Sequence, residues 1–137
     1  MMQVQIVHPD HIYSVWDKVE PLIQASLDVG FGYATLDQVK LMLTKGMQTL
    51  LIAVDDANEI AGAMVVEFVN YPNERVIFLA ELGGKAVVDQ SVLDQVEDWA
   101  RQNGATRMCA WADDARARLY KMKSGFATAR HVVEKKL

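Results

Sequence analysis

The sequence predicts an α/β domain of the α+β kind, with a mixed, mostly antiparallel sheet of six strands and four helices in the order β-α-α-β-β-β-α-β-α-β. Three observations carry this prediction. The spacing of apolar residues switches between two residues and three to four residues along the chain. Three strand-like segments joined by short polar turns fill the middle third. A helical segment then separates two further strand-like segments, and such a crossover makes neighbouring strands parallel.

The first third of the chain predicts a strand followed by a long helix. Residues 2–7 alternate between polar and apolar side chains, which is typical of a strand with one buried face. Apolar residues then recur every three or four positions over Ile12–Leu27, with Pro9 suited to the first helical turn. Pro21 lies inside this segment and is expected to kink the helix or to split it in two.

A second helix and three strands follow. Thr35 and Gln38 have the spacing of a capping box that opens a helix, and Gly46 closes that helix. The three middle strands are predicted at Thr49–Val54, Ile60–Val69 and Arg75–Leu82.

The last third repeats helix and strand twice. Helical spacing returns after Gly83-Gly84 and ends at Gly104, and Asp113 caps a short fourth helix that Gly125 stops. The two strands of this part are predicted at Thr106–Ala112 and Ala127–Glu134.

The composition limits the possible functions. The 137 residues, 51% of them hydrophobic, are enough for one core, so residues 1–137 are expected to form one domain. A single cysteine, Cys109, excludes an intrachain disulfide and a cysteine-cluster zinc site, and we expect no metal site. The net charge of -4 argues against a nucleic-acid partner. Without a long apolar run we expect no membrane association and a cytoplasmic location.

Three segments in the C-terminal part resemble a known family. They are Leu93–Ala105, Ala117–Tyr120 and Ser124-Gly125-Phe126. Together with the element order they are similar to the C-terminal half of the N-acetyltransferases of the GNAT superfamily, while the first half matches in layout alone. The resemblance implies acetyl-CoA as the co-substrate and an amine, on a small molecule or a protein, as the acceptor.

The resemblance also implies that the pyrophosphate of acetyl-CoA sits on the loop before the third helix. A glycine pair between a strand and a helix offers free backbone N–H groups at the positive end of the helix dipole, where phosphate oxygens bind. The family loop reads Gln/Arg-x-x-Gly-x-Gly/Ala, whereas here the Gln/Arg is absent and a valine or an aspartate replaces the last small residue. The assigned cofactor-binding residues are Leu82, Gly83, Gly84, Lys85, Ala86, Val87 and Val88.

Two residues are candidate catalytic groups. Glu81 ends the fourth strand and is the candidate base that deprotonates the amine. The resemblance implies a tyrosine acid on the fourth helix, four residues before the glycine of the Gly-Phe ending. That spacing falls on Lys121, and Tyr120 lies one residue earlier, about 100° around the helix, so Tyr120 is either the acid or a core residue.

Two aromatic residues are candidate substrate-binding groups. Phe31 and Tyr33 lie in a glycine-containing loop that, by resemblance, covers the acceptor site. They shape a pocket there or cap the core.

Two functions follow from these residues. The first is an acyl-CoA-dependent N-acyltransferase in which an amine attacks the thioester directly. The second is a catalytically degenerate protein of the same fold that binds another protein, such as a virion or assembly component of a tailed bacteriophage. The sequence also allows pairing of the last strand with a second copy in a homodimer.

Overall fold

The computed structural model describes residues 1–85 and 89–137 of the chain. Within these residues the fold consists of one sheet with helices on both faces. The strands are β1 (Gln3–Val7), β2 (Thr49–Val54), β3 (Ile60–Asn70), β4 (Arg75–Gly84) and β5 (Arg107–Ala110). The helices are α1 (Ile12–Asp28), α2 (Leu36–Thr44), α3 (Gln90–Gln102) and α4 (Asp114–Ser124).

The strands lie side by side in chain order, β1-β2-β3-β4-β5. Each of the first three strands is antiparallel to the next, whereas β4 and β5 are parallel. The α+β class and the parallel pair across α3 are therefore confirmed. The crossover is long enough for a parallel connection because a complete helix lies within it.

Alternation along the strands separates two cores. On β2, Leu50, Ile52 and Val54 face α1 and α2, while Leu51 and Ala53 face α3. A residue period of two sends successive side chains to opposite faces of a sheet. The buried core on the α1 and α2 side consists of Val7, Ile12, Trp16, Val19, Ile23, Val39, Leu43, Leu50, Ile52, Val54, Ala63 and Val65. The core on the α3 side consists of Leu51, Ala53, Met64, Val66, Ile77, Leu79, Val92, Val96, Ala100 and Ala105.

The predicted helix boundaries hold where local chemistry sets them. At the start of α2, the Thr35 side chain accepts a hydrogen bond from the Gln38 amide at 3.3 Å, and the Gln38 side chain accepts one from the Thr35 amide at 2.9 Å. Gly46 follows the helix with a φ of +73°, a left-handed conformation that glycine adopts freely. The capping box and the glycine stop are confirmed.

Pro21 does not split the first helix. α1 runs unbroken from Ile12 to Asp28, so of the two expectations for Pro21, a kink or a split, the split is wrong. Pro21 and Asp17, whose carbonyl loses its helical partner to the proline, are both exposed. A carbonyl that loses its helical partner at an exposed position is open to solvent, which lowers the cost of continuing the helix.

The predicted sixth strand is absent. Residues 125–137 are described and contain no strand, so the sheet has five strands and the prediction at Ala127–Glu134 is wrong. Val133 is 93% exposed, and no backbone hydrogen bond joins 127–137 to the described part of the sheet. A strand requires a partner edge and a face to bury, and this segment has neither. β5 is likewise shorter than predicted, because residues 111–113 lead into α4.

None of the helices in the described part of the chain combines the length and apolar character needed to cross a bilayer.

Candidate functional site

β4 and β5 separate partway along their length. Their parallel pairing covers Val76–Leu79 on β4, and β4 then continues to Gly84 while β5 ends at Ala110. Against β3, the register passes from Leu79 to Glu81, which leaves Ala80 as a bulged residue. A bulge bends a strand and redirects the next side chains. The cleft between the strands therefore opens beside Glu81.

Glu81 is held from the other side by a buried serine on α1. The Ser26 hydroxyl donates to Glu81 Oε2 at 2.5 Å and accepts from the Leu82 amide at 3.2 Å. Ser26 is 5% exposed, so the bond lies at the edge of the core. A single hydroxyl thus fixes both the carboxylate and the β4 backbone beside it.

The environment of Glu81 favours its neutral form. Desolvation by burial raises the pKa of Glu81 above 4.5, while the Ser26 hydrogen bond and the charge of Arg116 lower it. Burial is the largest of these causes. A carboxylate with a raised pKa is a stronger base than an exposed glutamate, as a proton acceptor at neutral pH requires.

Arg116 joins α4 to the end of α1. Its Nη2 donates to the Val29 carbonyl at 2.5 Å, and its Nε lies 3.6 Å from the Asp113 carboxylate. A cation at a helix C-terminus is stabilised by the helix dipole and by the unpaired carbonyls there. Arg116 thereby links α4 to the start of the loop after α1.

A small pocket of about 40 Å³ forms between this loop, β4 and the start of α4. Phe31 and Tyr33 lie in the loop with their rings stacked at a centroid distance of 6.0 Å, and they are 51% and 67% exposed. The structure thus brings together Glu81, Phe31 and Tyr33, which the sequence assigned to base and acceptor roles. The lining residues are Leu27, Gly30, Phe31, Gly32, Tyr33, Ala80, Glu81, Trp111 and Arg116.

Three residues of the site were missed by sequence reasoning. Ser26 lies on an amphipathic helix and Arg116 lies on the short fourth helix, and neither belongs to a motif. Trp111 stacks on Phe78 at 5.7 Å and lines the pocket just after β5. The signal for Trp111 was its position at the end of a strand that precedes a capped helix.

Tyr120 lies behind this pocket and does not line it. Its side chain is 7% exposed and packs against Phe126 at a ring distance of 5.7 Å. Its carbonyl accepts the Gly125 and Phe126 amides at the end of α4. Burial raises the pKa of Tyr120 above 10, and the charge of Arg116 opposes that rise. The phenol is therefore protonated at neutral pH, near the same arginine that acts on Glu81.

The glycine pair lies inside β4 and not at the start of a helix. Gly83 lies against α1, where a Cβ atom would come within 2.1 Å of the Leu22 carbonyl oxygen. Gly84 has a φ of +92°, and a Cβ atom there would lie 2.5 Å from the Ala61 carbonyl oxygen. Both glycines are required by the approach of backbone to backbone. Gly83 and Gly84 are the last two residues of β4, and α3 begins at Gln90, so the expectation that the helix starts directly after the pair is corrected by these bounds.

The assigned cofactor loop is described in part. Leu82, Gly83 and Gly84 are β4 residues and Lys85 follows them, whereas Ala86, Val87 and Val88 lie outside the described residues. α3 begins at Gln90, and its N-cap is Asp89. The helix therefore begins well after the glycine pair.

No protein-family model matches the chain, and no curated protein matches it in sequence. Solved structures match it over nearly their whole length. An aminoglycoside acetyltransferase from an uncultured soil metagenomic sample, in complex with sisomicin, superposes with a TM-score of 0.72 at 10% identity and covers 99% of this chain and 95% of its own.

Two other solved structures match the chain over a similar length. A ribosomal-protein-alanine N-acetyltransferase from Brucella melitensis biovar Abortus 2308 has a TM-score of 0.68 at 13% identity, covering 100% of this chain and 99% of its own. A predicted acetyltransferase with acetyl-CoA from Clostridium acetobutylicum has a TM-score of 0.66 at 16% identity, covering 99% and 96%. Because these identities are low, the likeness concerns the fold.

Proposed function

We propose, from the GNAT acetyltransferase fold that this chain shares with those enzymes, that it is an N-acyltransferase that moves an acetyl group from acetyl-CoA to an amine. The observation that carries the proposal is the position of Glu81. This carboxylate has a raised pKa, is oriented by Ser26, and faces the cleft where β4 and β5 separate. A core that merely needed packing would place an apolar side chain there.

In the proposed reaction Glu81 accepts a proton from the acceptor ammonium, directly or through water. The freed nitrogen lone pair attacks the thioester carbonyl carbon, the carbon–sulfur bond breaks, and the thiolate leaves. Tyr120 supplies the proton to that thiolate, and the resulting phenolate takes up the second proton, which the nitrogen loses as the amide forms. Its phenol is the candidate acid because it carries a proton at neutral pH and lies near Arg116, which lines the pocket.

The free edge of β4 supports the donor half of the proposal. From Ala80 to Gly84 this strand has no described strand on the β5 side. The Leu82 amide donates to Ser26, and the backbone groups that face the open side are available to an extended ligand. The pantetheine arm of CoA contains two amides and suits such an edge by strand addition. We assign the arm to Leu82, Gly83, Gly84 and Lys85, and keep Ala86, Val87 and Val88 as proposed loop contacts.

The acceptor side is small and open. A pocket of about 40 Å³ is far below the about 300–1,000 Å³ of sites that enclose a ligand, so it admits a terminal amino group. The exposed rings of Phe31 and Tyr33 at its mouth supply contact area for the rest of a small molecule or a protein chain. Because acetyl-CoA is an intracellular metabolite, the proposal implies a cytoplasmic protein.

Thiol release from acetyl-CoA across a panel of small amines and peptides tests the proposal. We expect Glu81→Gln to lower kcat/KM about a hundredfold or more. Glu67→Gln is the matched control, because Glu67 lies on neighbouring β3 and does not line the pocket. Release that is equal in the wild type and Glu81→Gln, or absent from every amine, contradicts the proposal.

One observation favours the alternative of a catalytically degenerate protein that binds another protein, including the phage assembly role. The glycine pair is used in packing against Leu22 and Ala61, and an acidic residue, Asp89, begins α3. Under this alternative, acetyl-CoA at millimolar concentration gives no increase in melting temperature, whereas a ligand that binds the native state raises it.

A further inference from the structure

The start of α3 already holds an anion of the protein's own. Asp89 is the N-cap, and its Oδ1 accepts hydrogen bonds from the Ser91 amide at 2.9 Å and the Val92 amide at 3.2 Å. The same oxygen accepts the Ser91 hydroxyl at 2.5 Å. The first amides of a helix have no partner within the helix, and they are the groups that a phosphate binds. Here the aspartate takes two of them.

The carboxylate is charged under physiological conditions. The Ser91 and Val92 donors lower the pKa of Asp89 below 3.8. A diphosphate that approaches this helix start must displace Asp89 from its hydrogen bonds or lie beside a like charge. Either event weakens binding, and the second depends on ionic strength because the carboxylate is near solvent.

The described residues before the helix offer little compensation for this loss of binding. Gly83 and Gly84 are fixed against the backbones of α1 and β3, so they cannot move to wrap a ligand without separating those elements. Lys85 is the one basic residue among the described residues 81–85 and 89–92. The two features are independent of each other, and both oppose a diphosphate at this position.

We infer that Asp89 excludes the diphosphate of coenzyme A from the start of α3, so that the site recognises acyl thioesters through the pantetheine arm alone. This inference rests on the proposed function, which supplies the thioester. It names the donor class as acyl-pantetheine thioesters with or without a nucleotide. In contrast to a site that grips the diphosphate, this one gains no affinity from it.

Isothermal titration of CoA and of pantetheine with the wild type and Asp89→Ser tests the inference. Serine keeps the cap and removes the charge. We expect the wild type to bind both ligands with dissociation constants within about threefold of each other. Asp89→Ser should bind CoA about tenfold more tightly at low salt, with pantetheine unchanged, and the gain should shrink at high salt.

Asp94→Ser is the matched control, because Asp94 is exposed on the same helix and its loss changes the net charge equally. Far-UV circular dichroism checks that each variant is folded. Tighter binding of CoA than of pantetheine by the wild type, tenfold or more, overturns the inference. So does an Asp89→Ser variant with no gain for CoA, or an equal gain in Asp94→Ser.

The two proposals fail separately. If the expected binding pattern appears but neither the wild type nor Asp89→Ser acetylates any amine, the transferase proposal is lost and the role of Asp89 stands. If acetyl transfer occurs with CoA bound tenfold more tightly than pantetheine, the transferase stands and the role of Asp89 is lost.

Discussion

The two helices that border the cleft hold it in different ways. α1 buries residues along its whole length and contributes Ser26 from within the core, whereas in α4, all of which is described, Tyr120 alone is buried. The candidate base, Glu81, is thus held by the main core of the protein, and the candidate acid, Tyr120, is held by a helix with one buried residue. We therefore expect substitutions beside Glu81 to change both stability and activity. Substitutions on α4 are expected to change activity with little effect on stability. The buried residues of α1 are Ile12, Trp16, Val19, Ile23 and Ser26.

Arg116 is the link between the two sides. It lies on α4, donates to the Val29 carbonyl after α1, and its charge acts on both Glu81 and Tyr120. Its hydrogen bond crosses from the weakly anchored helix to the strongly anchored one. The comparison of α1 with α4 can therefore be tested by substitutions on either helix.

The largest effect on stability is expected from a substitution where α1 packs against β4. In Gly83→Ala the new Cβ lies 2.1 Å from the Leu22 carbonyl oxygen, so the helix or the strand must shift. We expect a loss of about 3 kcal/mol or more in the free energy of unfolding, measured by urea denaturation.

Gly30→Ala is the control for this change. Gly30 is exposed, and its Cβ would lie 3.3 Å from the nearest atom, the Ser26 carbonyl oxygen, so the expected loss is within about 1 kcal/mol. A Gly83→Ala protein as stable as the wild type would show that the close packing of α1 on β4 is not needed for the fold.

A moderate effect is expected at Ser26. Ser26→Ala removes a hydrogen bond to the Leu82 amide and one to Glu81, so unfolding should become easier by about 1–2 kcal/mol. It also removes a contribution that lowers the pKa of Glu81, which then rises further. Since the base acts when ionised, the acidic limb of kcat/KM against pH should move to higher pH.

The same variant has a predicted effect on stability against pH. The folded-state pKa of Glu81 lies above its unfolded value near 4.5, so the folded state binds this proton more tightly. The stabilisation that protonated Glu81 gives to the folded state is complete below the pKa of Glu81 in the unfolded chain. It is lost as the pH rises through the pKa of Glu81 in the folded protein. Ser26→Ala should deepen that loss. Ser14→Ala, on the exposed face of α1, serves as control, and an unmoved acidic limb in Ser26→Ala argues against its positioning role.

The fold was predictable where short-range chemistry decides. The capping box of Thr35 and Gln38 and the alternation of β2 are complete within a few residues, so the sequence carries them in full. The segment Ala127–Glu134 looked like a strand, but a strand exists only with a partner, and partner choice is set by distant parts of the chain. The long α1 survived Pro21 because the affected turn faces solvent, which local spacing does not reveal.

The site was predictable to a lesser extent. Glu81 was a candidate because it lies at the end of a predicted strand, and Phe31 and Tyr33 were candidates because the resemblance placed their loop over the acceptor site. The packing role of Gly83 could not be predicted, because the Leu22 carbonyl that requires a glycine there is far away in the sequence. Ser26 was missed for the same reason, because its two partners lie on another element.

The smallest effect on folding is expected at Tyr120. Tyr120→Phe keeps the ring that packs against Phe126, so the free energy of unfolding should change by less than about 1 kcal/mol. If the phenol protonates the leaving thiolate, kcat should fall by about a hundredfold, most strongly with donors whose thiolate is a poor leaving group. Tyr71→Phe, at an exposed turn residue, is the control and should leave both quantities unchanged.

An unchanged kcat in Tyr120→Phe would remove the acid role and leave Tyr120 as the residue that packs α4 against the core. A large loss of stability in Tyr120→Phe would instead show that α4 is held as firmly as α1.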